Sequence, residues 1–292
     1  MDVADKDSIQ TVMVVGSGSM GRGIILSFAM AGFNTIVLTR DPSHLTDLPQ
    51  GATAHQELPE KSPDLIIEAI PEKMELKEAL LKRLEQTYGD TPILASNTSS
   101  LPLDKMADGL KNPGRFIGIH YMHPAESLPM VEVIRVSQTS DRTLSQVKAA
   151  LKKTGKESIV LKKPIIGFLI NRLQHALLHE AYYLIEEEIV EAKDIDAFAK
   201  WMFGPRMCVT GLIEQKDISG LDTHALAQQG IVPHLHLSRK PSRVVQDKYE
   251  RGELGVKTGR GFYDWRSCDV TAHKIHAEHK LQRLLQLLKD DI

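Results

Sequence analysis

The chain has 292 residues and a formal net charge of −2 at pH 7, with 42% hydrophobic and 25% charged residues. These values are ordinary for a soluble globular protein, and the length suits two domains with a substantial core. The charge balance gives no indication of the basic surface that nucleic-acid binding requires, so nucleic acid is not an expected partner. Two cysteines are too few for a disulfide framework.

Neither the start of the sequence nor its apolar segments indicate secretion or membrane insertion. Residues 1–5 are acidic and lack the apolar region of a signal peptide. No apolar run approaches the roughly 20 residues that a membrane helix needs. The sequence therefore predicts a cytoplasmic protein without a membrane anchor.

Predicted strands and helices alternate over the first half of the chain. The strands cover residues 11–15, 35–39, 65–70, 93–95, 116–119, 131–136 and 158–161, and the helices cover residues 20–31, 73–88 and 141–153. Prolines and glycines interrupt the segment 40–64, so no long helix is expected there. Alternation of this kind predicts parallel pairing in a Rossmann-type, doubly wound α/β sheet.

Beyond Pro164 the pattern changes to helices and loops. A long helical run covers residues 167–191, and the remainder up to Ile292 follows mostly helical or loop patterns. We therefore expect a Rossmann domain over residues 1–163 and a smaller, all-helical domain over residues 164–292.

A glycine-rich turn separates the first predicted strand from the first predicted helix. Gly16, Gly18 and Gly21 form the pattern G-x-G-x-x-G. The first glycine permits a tight turn, the second lets a pyrophosphate approach the backbone, and the third lets helix and strand pack closely. Ser19 and Met20 begin the helix, whose N-terminal N–H groups bind phosphate. The turn therefore predicts a bound dinucleotide, NAD(P).

The end of the second strand normally selects between NAD and NADP. An acidic residue there binds the ribose 2′-hydroxyl of NAD, but this sequence has Thr39-Arg40-Asp41. Arg40 falls where the acid is expected, and an arginine pairs with a 2′-phosphate and stacks on adenine, which favours NADP. The alternative is that Arg40 is solvated and Asp41 reaches the ribose of NAD.

Further along the chain, ordered motifs resemble those of the 3-hydroxyacyl-CoA dehydrogenase family. They are IEAIPE at 67–72, ASNTSSL at 95–101, RFIGIH at 115–120, PMVEVI at 129–134, GFLINR at 167–172 and LGVKTGRGFY at 254–263. With the glycine turn these motifs cover nearly the whole chain, which makes them far more specific than the turn alone. The resemblance implies hydride transfer between a secondary alcohol and NAD(P), and a homodimer formed through the C-terminal domain.

The resemblance also assigns residue roles that side-chain chemistry supports. His120 would be the general base for the hydroxyl proton, because an imidazole titrates near neutral pH, and Glu132 would hold and charge-stabilise that imidazole. Ser99 and Asn171 would hydrogen-bond the substrate oxygen. Cofactor contacts are implied for Glu72, Lys77, Asn97 and Lys257.

Two departures from the family pattern concern the substrate. The segment 40–64 replaces a considerably longer helical segment that contributes to coenzyme A binding in the family. We therefore expect a small free hydroxy acid or alcohol as substrate. His123 stands where the family has an asparagine near the nicotinamide and substrate. It would either bind a substrate carboxylate when protonated or only fill the space.

Other functions are less well supported by the sequence. His175 and His179 are one helical turn apart but lack the glutamate of an HExxH motif, so no metal site is predicted. The run 167–191 lacks the lysine that β-hydroxyacid dehydrogenases use. A non-enzymatic NAD(P)-binding sensor or crystallin-like structural protein is the remaining alternative, and the presence of all four catalytic residue types favours an enzyme over it.

Overall fold

The computed structural model describes residues 8–288, so the acidic residues 1–5 discussed above lie outside it. One sheet holds the eight strands β1 (Thr11–Val15), β2 (Asn34–Leu38), β3 (Ala52–His55), β4 (Leu65–Glu68), β5 (Ile93–Ser96), β6 (Phe116–His120), β7 (Met130–Ile134) and β8 (Glu157–Leu161). Their order is β3-β2-β1-β4-β5-β6-β7-β8, and every neighbouring pair is parallel except β6 and β7. This is the doubly wound Rossmann sheet that the sequence predicts.

Helices lie between several of the strands and predominate in the chain after the last strand. They are α1 (Ser19–Met30), α2 (Met74–Tyr88), α3 (Leu103–Asp108), α4 (Asp141–Lys153), α5 (Ile170–Glu186), α6 (Ala192–Phe198), α7 (Gly204–Thr210), α8 (Glu214–Ser219), α9 (Leu221–Ile231), α10 (Arg243–Glu250) and α11 (Val270–Leu287). The predicted helical second part is thus confirmed. Among residues 8–288, no helix combines the length and apolar content that crossing a bilayer requires.

The chain divides into two compact units, one ending at Arg172 and the other beginning at Leu173. The sheet with α1–α4 lies in the first unit, and the residues from Leu173 onward form the helical unit. The domain ranges predicted from the sequence, 1–163 and 164–292, stay a prediction.

Both faces of the sheet are covered, which explains why its strands are almost continuously apolar. Because side chains alternate between the faces of a strand, Val12 and Val14 of β1 enter one core, which includes apolar residues of α1. Met13 and Val15 enter the other core, which includes apolar residues of α2. The carboxyl ends of the parallel strands are thereby fixed on a rigid scaffold.

Two features of the sheet differ from the sequence prediction. The segment 40–64 contains the strand β3, whose sequence Ala-Thr-Ala-His is too short and too weakly apolar to be recognised, and which pairs with β2 at the edge. Strand β7 runs antiparallel to β6, whereas the predicted parallel pairing holds for every other pair of neighbouring strands. The reason is the nine-residue loop 121–129 between them, which has no crossover helix, whereas a parallel pair needs one.

The helical unit exposes far more apolar surface than the sheet unit. None of residues 173–288 is buried. Trp201 is 80% exposed, Val209 80% and Leu237 79%. A globular unit of this size normally buries a core, and a large apolar surface marks a site of association.

Candidate active site

The turn between β1 and α1 fits the pyrophosphate of a dinucleotide. Gly16 has a φ of +110°, and a Cβ on it would lie 2.6 Å from the carbonyl oxygen of Ala69. A Cβ on Gly21 would collide with the backbone of Gly16. Above Gly18, by contrast, a Cβ would meet no described atom within 4 Å, and no described side chain caps the N-terminus of α1. The helix N–H groups therefore face open space that an anion fits.

Beside α1, the loop between β6 and β7 is fixed by two residues that the sequence did not single out. A Cβ on Gly23 of α1 would lie 2.8 Å from the Cβ of Ala125, so only glycine permits this close packing. Lys156 is buried, and its Nζ donates to the carbonyl oxygens of Ala125 (2.8 Å), Glu126 (2.9 Å) and Leu128 (2.6 Å). Burial lowers the pKa of this ammonium group.

The acidic and basic residues after β2 have different surroundings. Asp41 Oδ1 accepts hydrogen bonds from the N–H (3.0 Å) and Oγ (2.6 Å) of Ser43, and its Oδ2 lies 2.9 Å from His44 Nε2. The Ser43 hydrogen bonds lower the pKa of Asp41. Arg40 is exposed, and its guanidinium has no hydrogen bond or ion pair with any residue in the described range 8–288. Both carboxylate oxygens of Asp41 are thus engaged, whereas Arg40 is available.

His120 and Glu132 face each other across the antiparallel pair β6–β7. His120 Nδ1 lies 2.6 Å from Glu132 Oε2, and both side chains are buried. The other oxygen, Oε1, accepts the backbone N–H groups of Leu169 (2.8 Å) and Ile170 (2.9 Å) at the start of α5. Since a carboxylate only accepts, Nδ1 carries the proton of the neutral ring, which leaves the lone pair on Nε2.

The charge of Glu132 is well compensated. Burial alone would raise its pKa, but the hydrogen bonds from His120, Ile170 and Leu169 outweigh burial and lower the pKa. The position at the N-terminus of α5 favours a negative charge as well. Glu132 is therefore an ionised acceptor at neutral pH.

Phe168 packs against the imidazole and was not assigned a role by the sequence. Its ring centroid lies 5.3 Å from that of His120, and the side chain is buried. Its φ of +47° follows a φ of +80° at Gly167. A left-handed phenylalanine is uncommon and costs of order 1–3 kcal/mol, which the surrounding contacts must offset. The motif GFLINR contained the residue, but the unusual backbone is invisible in sequence.

The loop after β5 carries Ser99 and is anchored by Glu72. Glu72 Oε1 accepts from Thr98 Oγ1 (2.6 Å), Ser99 N (2.9 Å) and Ser100 N (3.2 Å), and Ser99 Oγ lies 3.3 Å from the same oxygen. Burial would raise the pKa of Glu72, but the hydrogen bonds from Thr98 and Ser99 lower it. Asn97 Oδ1 accepts the N–H of Tyr121 at 2.9 Å, which ties this loop to the residue after His120.

Lys77 is buried in α2 rather than exposed. Its Nζ lies 2.8 Å from both carboxylate oxygens of Glu68 and 3.3 Å from Glu72 Oε2. Glu68 is fully buried, and its Oε1 also accepts a hydrogen bond from Ser96 Oγ. Burial raises the pKa of Glu68, and Lys77 opposes that shift. Glu68 was not predicted, although a carboxylate ending a buried strand was a visible signal.

The remaining predicted residues are less constrained by contacts. Asn171 lies in the first turn of α5, next to Ile170, whose N–H binds Glu132. His123 is exposed in the β6–β7 loop. Lys257 belongs to the helical unit and lies in an exposed turn bridged by Gly255 and Arg260. The structure joins Glu72 by hydrogen bonds to the loop that carries Asn97 and Ser99, and it pairs His120 with Glu132. The functional roles of all of these residues stay predictions.

Comparison with known families identifies the chain. The model described as "3-hydroxyacyl-CoA dehydrogenase, NAD binding domain" matches residues 11–63 and 50–164, and that described as "3-hydroxyacyl-CoA dehydrogenase, C-terminal domain" matches residues 167–265. The N-terminal match is in two parts that overlap over residues 50–63. The two models together cover most of the chain.

Individual relatives agree with this assignment. A probable 3-hydroxybutyryl-CoA dehydrogenase of Bacillus subtilis is 31% identical over 88% of this chain and 98% of its own length. The 5-formyl-3-hydroxy-2-methylpyridine 4-carboxylate 5-dehydrogenase of Mesorhizobium japonicum is 24% identical over 96% of this chain and 99% of its own length. The crystal structure of an NAD⁺-dependent enzyme with that activity has a TM-score of 0.90, covering 96% of this chain and 99% of its own at 24% identity, which shows the fold.

A 3-hydroxyacyl-CoA dehydrogenase from Archaeoglobus fulgidus has a TM-score of 0.71 at 30% identity, and the comparison covers 95% of this chain and 99% of that one. These relatives are all named as dehydrogenases, so the non-enzymatic alternative is not supported. The chain belongs to the 3-hydroxyacyl-CoA dehydrogenase family and is a nicotinamide-dependent dehydrogenase that acts on CH–OH groups.

Proposed function

We propose that the enzyme oxidises a small free hydroxy acid or alcohol, with His120 as general base and Glu132 as its buried partner. The observation that carries the chemistry is the 2.6 Å contact between Nδ1 and Oε2, which leaves the Nε2 lone pair to accept a proton. Among residues 8–288, no side chain or backbone group hydrogen-bonds that Nε2.

Each residue then has a defined part in the reaction. A bound nicotinamide ring supplies the hydride acceptor. His120 Nε2 takes the hydroxyl proton as the C–H bond breaks, and the ionised Glu132 stabilises the resulting imidazolium. Ser99 and Asn171 hold the substrate oxygen, which places its carbon for hydride transfer. General base catalysis of this kind contributes roughly 10²- to 10⁴-fold to the rate.

The proposal of a free substrate is supported by the segment 40–64. It forms a 3₁₀ turn at Pro42–His44 and the short strand β3, and it has no helix that corresponds to the coenzyme A-binding segment of the family. The Mesorhizobium relative, which aligns with almost the whole chain, is named for a small ring carboxylate rather than a thioester. A small carboxylate-bearing alcohol is therefore the substrate class we favour.

A substrate panel tests this proposal. Free hydroxy acids and alcohols are assayed beside 3-hydroxybutyryl-CoA, with NAD and NADP in parallel. We expect kcat/KM for the thioester to be on the order of 100-fold below that of the best free substrate. This ratio corresponds to about 2.8 kcal/mol less stabilisation of the transition state. Rapid turnover of the thioester would contradict the interpretation of segment 40–64 while leaving the base assignment intact.

We further propose that NADP is the preferred cofactor. The support comes from the two charged residues that follow β2. Both carboxylate oxygens of Asp41 are engaged by Ser43 and His44, whereas Arg40 is exposed and available. In addition, Arg22 Nη2 donates to the carbonyl oxygen of His44 at 3.3 Å, which brings a second guanidinium to the same turn. Two cations near this turn favour a 2′-phosphate over a hydroxyl.

We also propose a homodimer formed through the helical unit. The support is the absence of any buried residue over 173–288, together with exposed Trp201, Val209 and Leu237. A second copy would cover apolar surface on both partners at once, as two-fold interfaces do. We expect light scattering to give twice the mass of one chain at micromolar concentration. A monomer at all concentrations would contradict the dimer.

A further inference from the structure

Three charged side chains form a chain of contacts beneath the loop that carries Ser99. Glu68 ends the buried strand β4, Lys77 lies in the first turns of α2, and Glu72 precedes that helix. Lys77 joins the two carboxylates, and Glu72 receives the loop. The inference below rests on the role proposed above for Ser99.

The ammonium group of Lys77 has no capacity left for another ligand. It has three N–H donors. Four protein oxygens lie within 3.3 Å, namely both oxygens of Glu68, the carbonyl of Ile70 and Oε2 of Glu72. The side chain is only 1% exposed. A direct contact with a cofactor, as the sequence suggested, would require breaking these bonds.

Glu72 is held between Lys77 and the loop that carries Ser99. Its side chain is 36% exposed, and a free glutamate at such exposure samples several rotamers. Lys77 holds Oε2 on one side, so Oε1 points to the N–H groups of Ser99 and Ser100. The hydroxyl of Ser99 lies 3.3 Å from that same oxygen. The direction of the Ser99 hydroxyl is thus coupled to the ion pair between Glu72 and Lys77.

Glu68 reaches the loop by a second route. Its Oε1 accepts from Ser96 Oγ, and Ser96 Oγ in turn accepts the N–H of Thr98 at 3.2 Å. The strand register places Glu68 and Ser96 directly opposite each other on β4 and β5. Two sets of contacts from one buried carboxylate therefore converge on the loop at residues 97–100.

We propose that Glu68 and Lys77 are positioning residues that orient the hydroxyl of Ser99 through Glu72, and that Lys77 does not bind the cofactor. Apolar residues in place of Glu68 and Lys77 would fill the same space, but they would leave Oε2 of Glu72 without a partner. The charges serve to hold one partly exposed carboxylate in a single orientation. An error of about 1 Å in such a group lowers turnover by up to about 10²-fold.

A double-mutant cycle tests this proposal. The variant E68Q/K77M removes both buried charges together, because removing one would leave the other uncompensated. It is combined with Ser99→Ala, and Lys73→Met, an exposed lysine immediately before the same helix, is the control. The readouts are kcat at saturating cofactor, the melting temperature, and the Kd of the reduced cofactor by fluorescence titration.

We expect E68Q/K77M to lower kcat by about tenfold or more and to leave the cofactor Kd within about threefold of wild type. Ser99→Ala should lower kcat in the wild-type background but add little to E68Q/K77M, because contacting groups couple by factors of up to about 10². Lys73→Met should match wild type in all three readouts.

Several results would overturn the proposal. A tenfold rise in Kd with unchanged kcat would show a direct cofactor contact, and additive effects on kcat would show a purely structural role. An unchanged kcat in Ser99→Ala alone would instead refute the proposed role of Ser99. If E68Q/K77M does not fold, Glu72→Gln replaces it, because this change removes the ion pair between Lys77 and Glu72 at a partly exposed position. Additive effects of Glu72→Gln and Ser99→Ala on kcat would then also overturn the proposal.

Discussion

Replacement of His120 by glutamine is expected to lower kcat by about 10²- to 10⁴-fold at saturating substrate and cofactor. The amide N–H of glutamine is able to donate to Glu132 Oε2, as Nδ1 does now, so the buried carboxylate keeps a partner. What the variant loses is the lone pair on Nε2. The expected loss is therefore catalytic, and the Kd of the cofactor should change little.

Folding and activity are measured on the same preparation. The melting temperature and the circular dichroism spectrum of His120→Gln should resemble those of the wild type. His276→Gln, an exposed histidine on α11, is the matched control and should retain full turnover. Near-normal turnover of His120→Gln would refute the base assignment. A variant that loses turnover because it fails to fold would be recognised by its melting temperature.

The features predictable from sequence are those fixed by local patterns. The strand β1 is apolar after Thr11 because both faces of the sheet are covered, and Gly16 and Gly21 follow it because the turn leaves no room for a Cβ. His120 and Glu132 were expected on neighbouring strands, and the antiparallel register places them directly opposite each other. The order of elements and the proximity of these two side chains were thus accessible without coordinates.

What the sequence could not provide depends on contacts between distant residues. Lys156 binds carbonyl oxygens about 30 positions away, and nothing near it in sequence indicates that it is buried. Lys77 follows a typical exposed-helix pattern, yet it is buried because the carboxylate of Glu68 lies at the end of the neighbouring strand. The strand β3 forms only because the edge of β2 is available to a weakly apolar segment.

The second large effect is expected from Arg40→Asp. We expect kcat/KM with NADP to fall by about 100-fold or more, and the enzyme to prefer NAD. A charge-assisted contact to the 2′-phosphate is lost, and a like charge placed against an anion costs several kcal/mol, with each 1.4 kcal/mol equal to tenfold. The measurement is kcat/KM for both cofactors at a fixed, saturating substrate concentration.

Two further variants test whether the change in cofactor preference is specific to Arg40 and whether Asp41 binds NAD instead. Lys148→Glu makes the same change of two charge units at an exposed position of α4 and should leave the cofactor preference unchanged. Asp41→Asn tests the alternative in which Asp41 binds the ribose of NAD. Because Ser43 and His44 already engage that carboxylate, we expect kcat/KM for NAD to change by less than about threefold, which is under 1 kcal/mol.

Ionic strength provides an independent test of the same contact. Arg40 is exposed, so its attraction to a 2′-phosphate is screened over a Debye length of about 10 Å at 0.1 M salt. The KM for NADP should therefore rise with salt more steeply than the KM for NAD, and Arg40→Asp should abolish that difference. Equal salt dependence in the wild type, or a strong wild-type preference for NAD, would show that Arg40 does not select the cofactor.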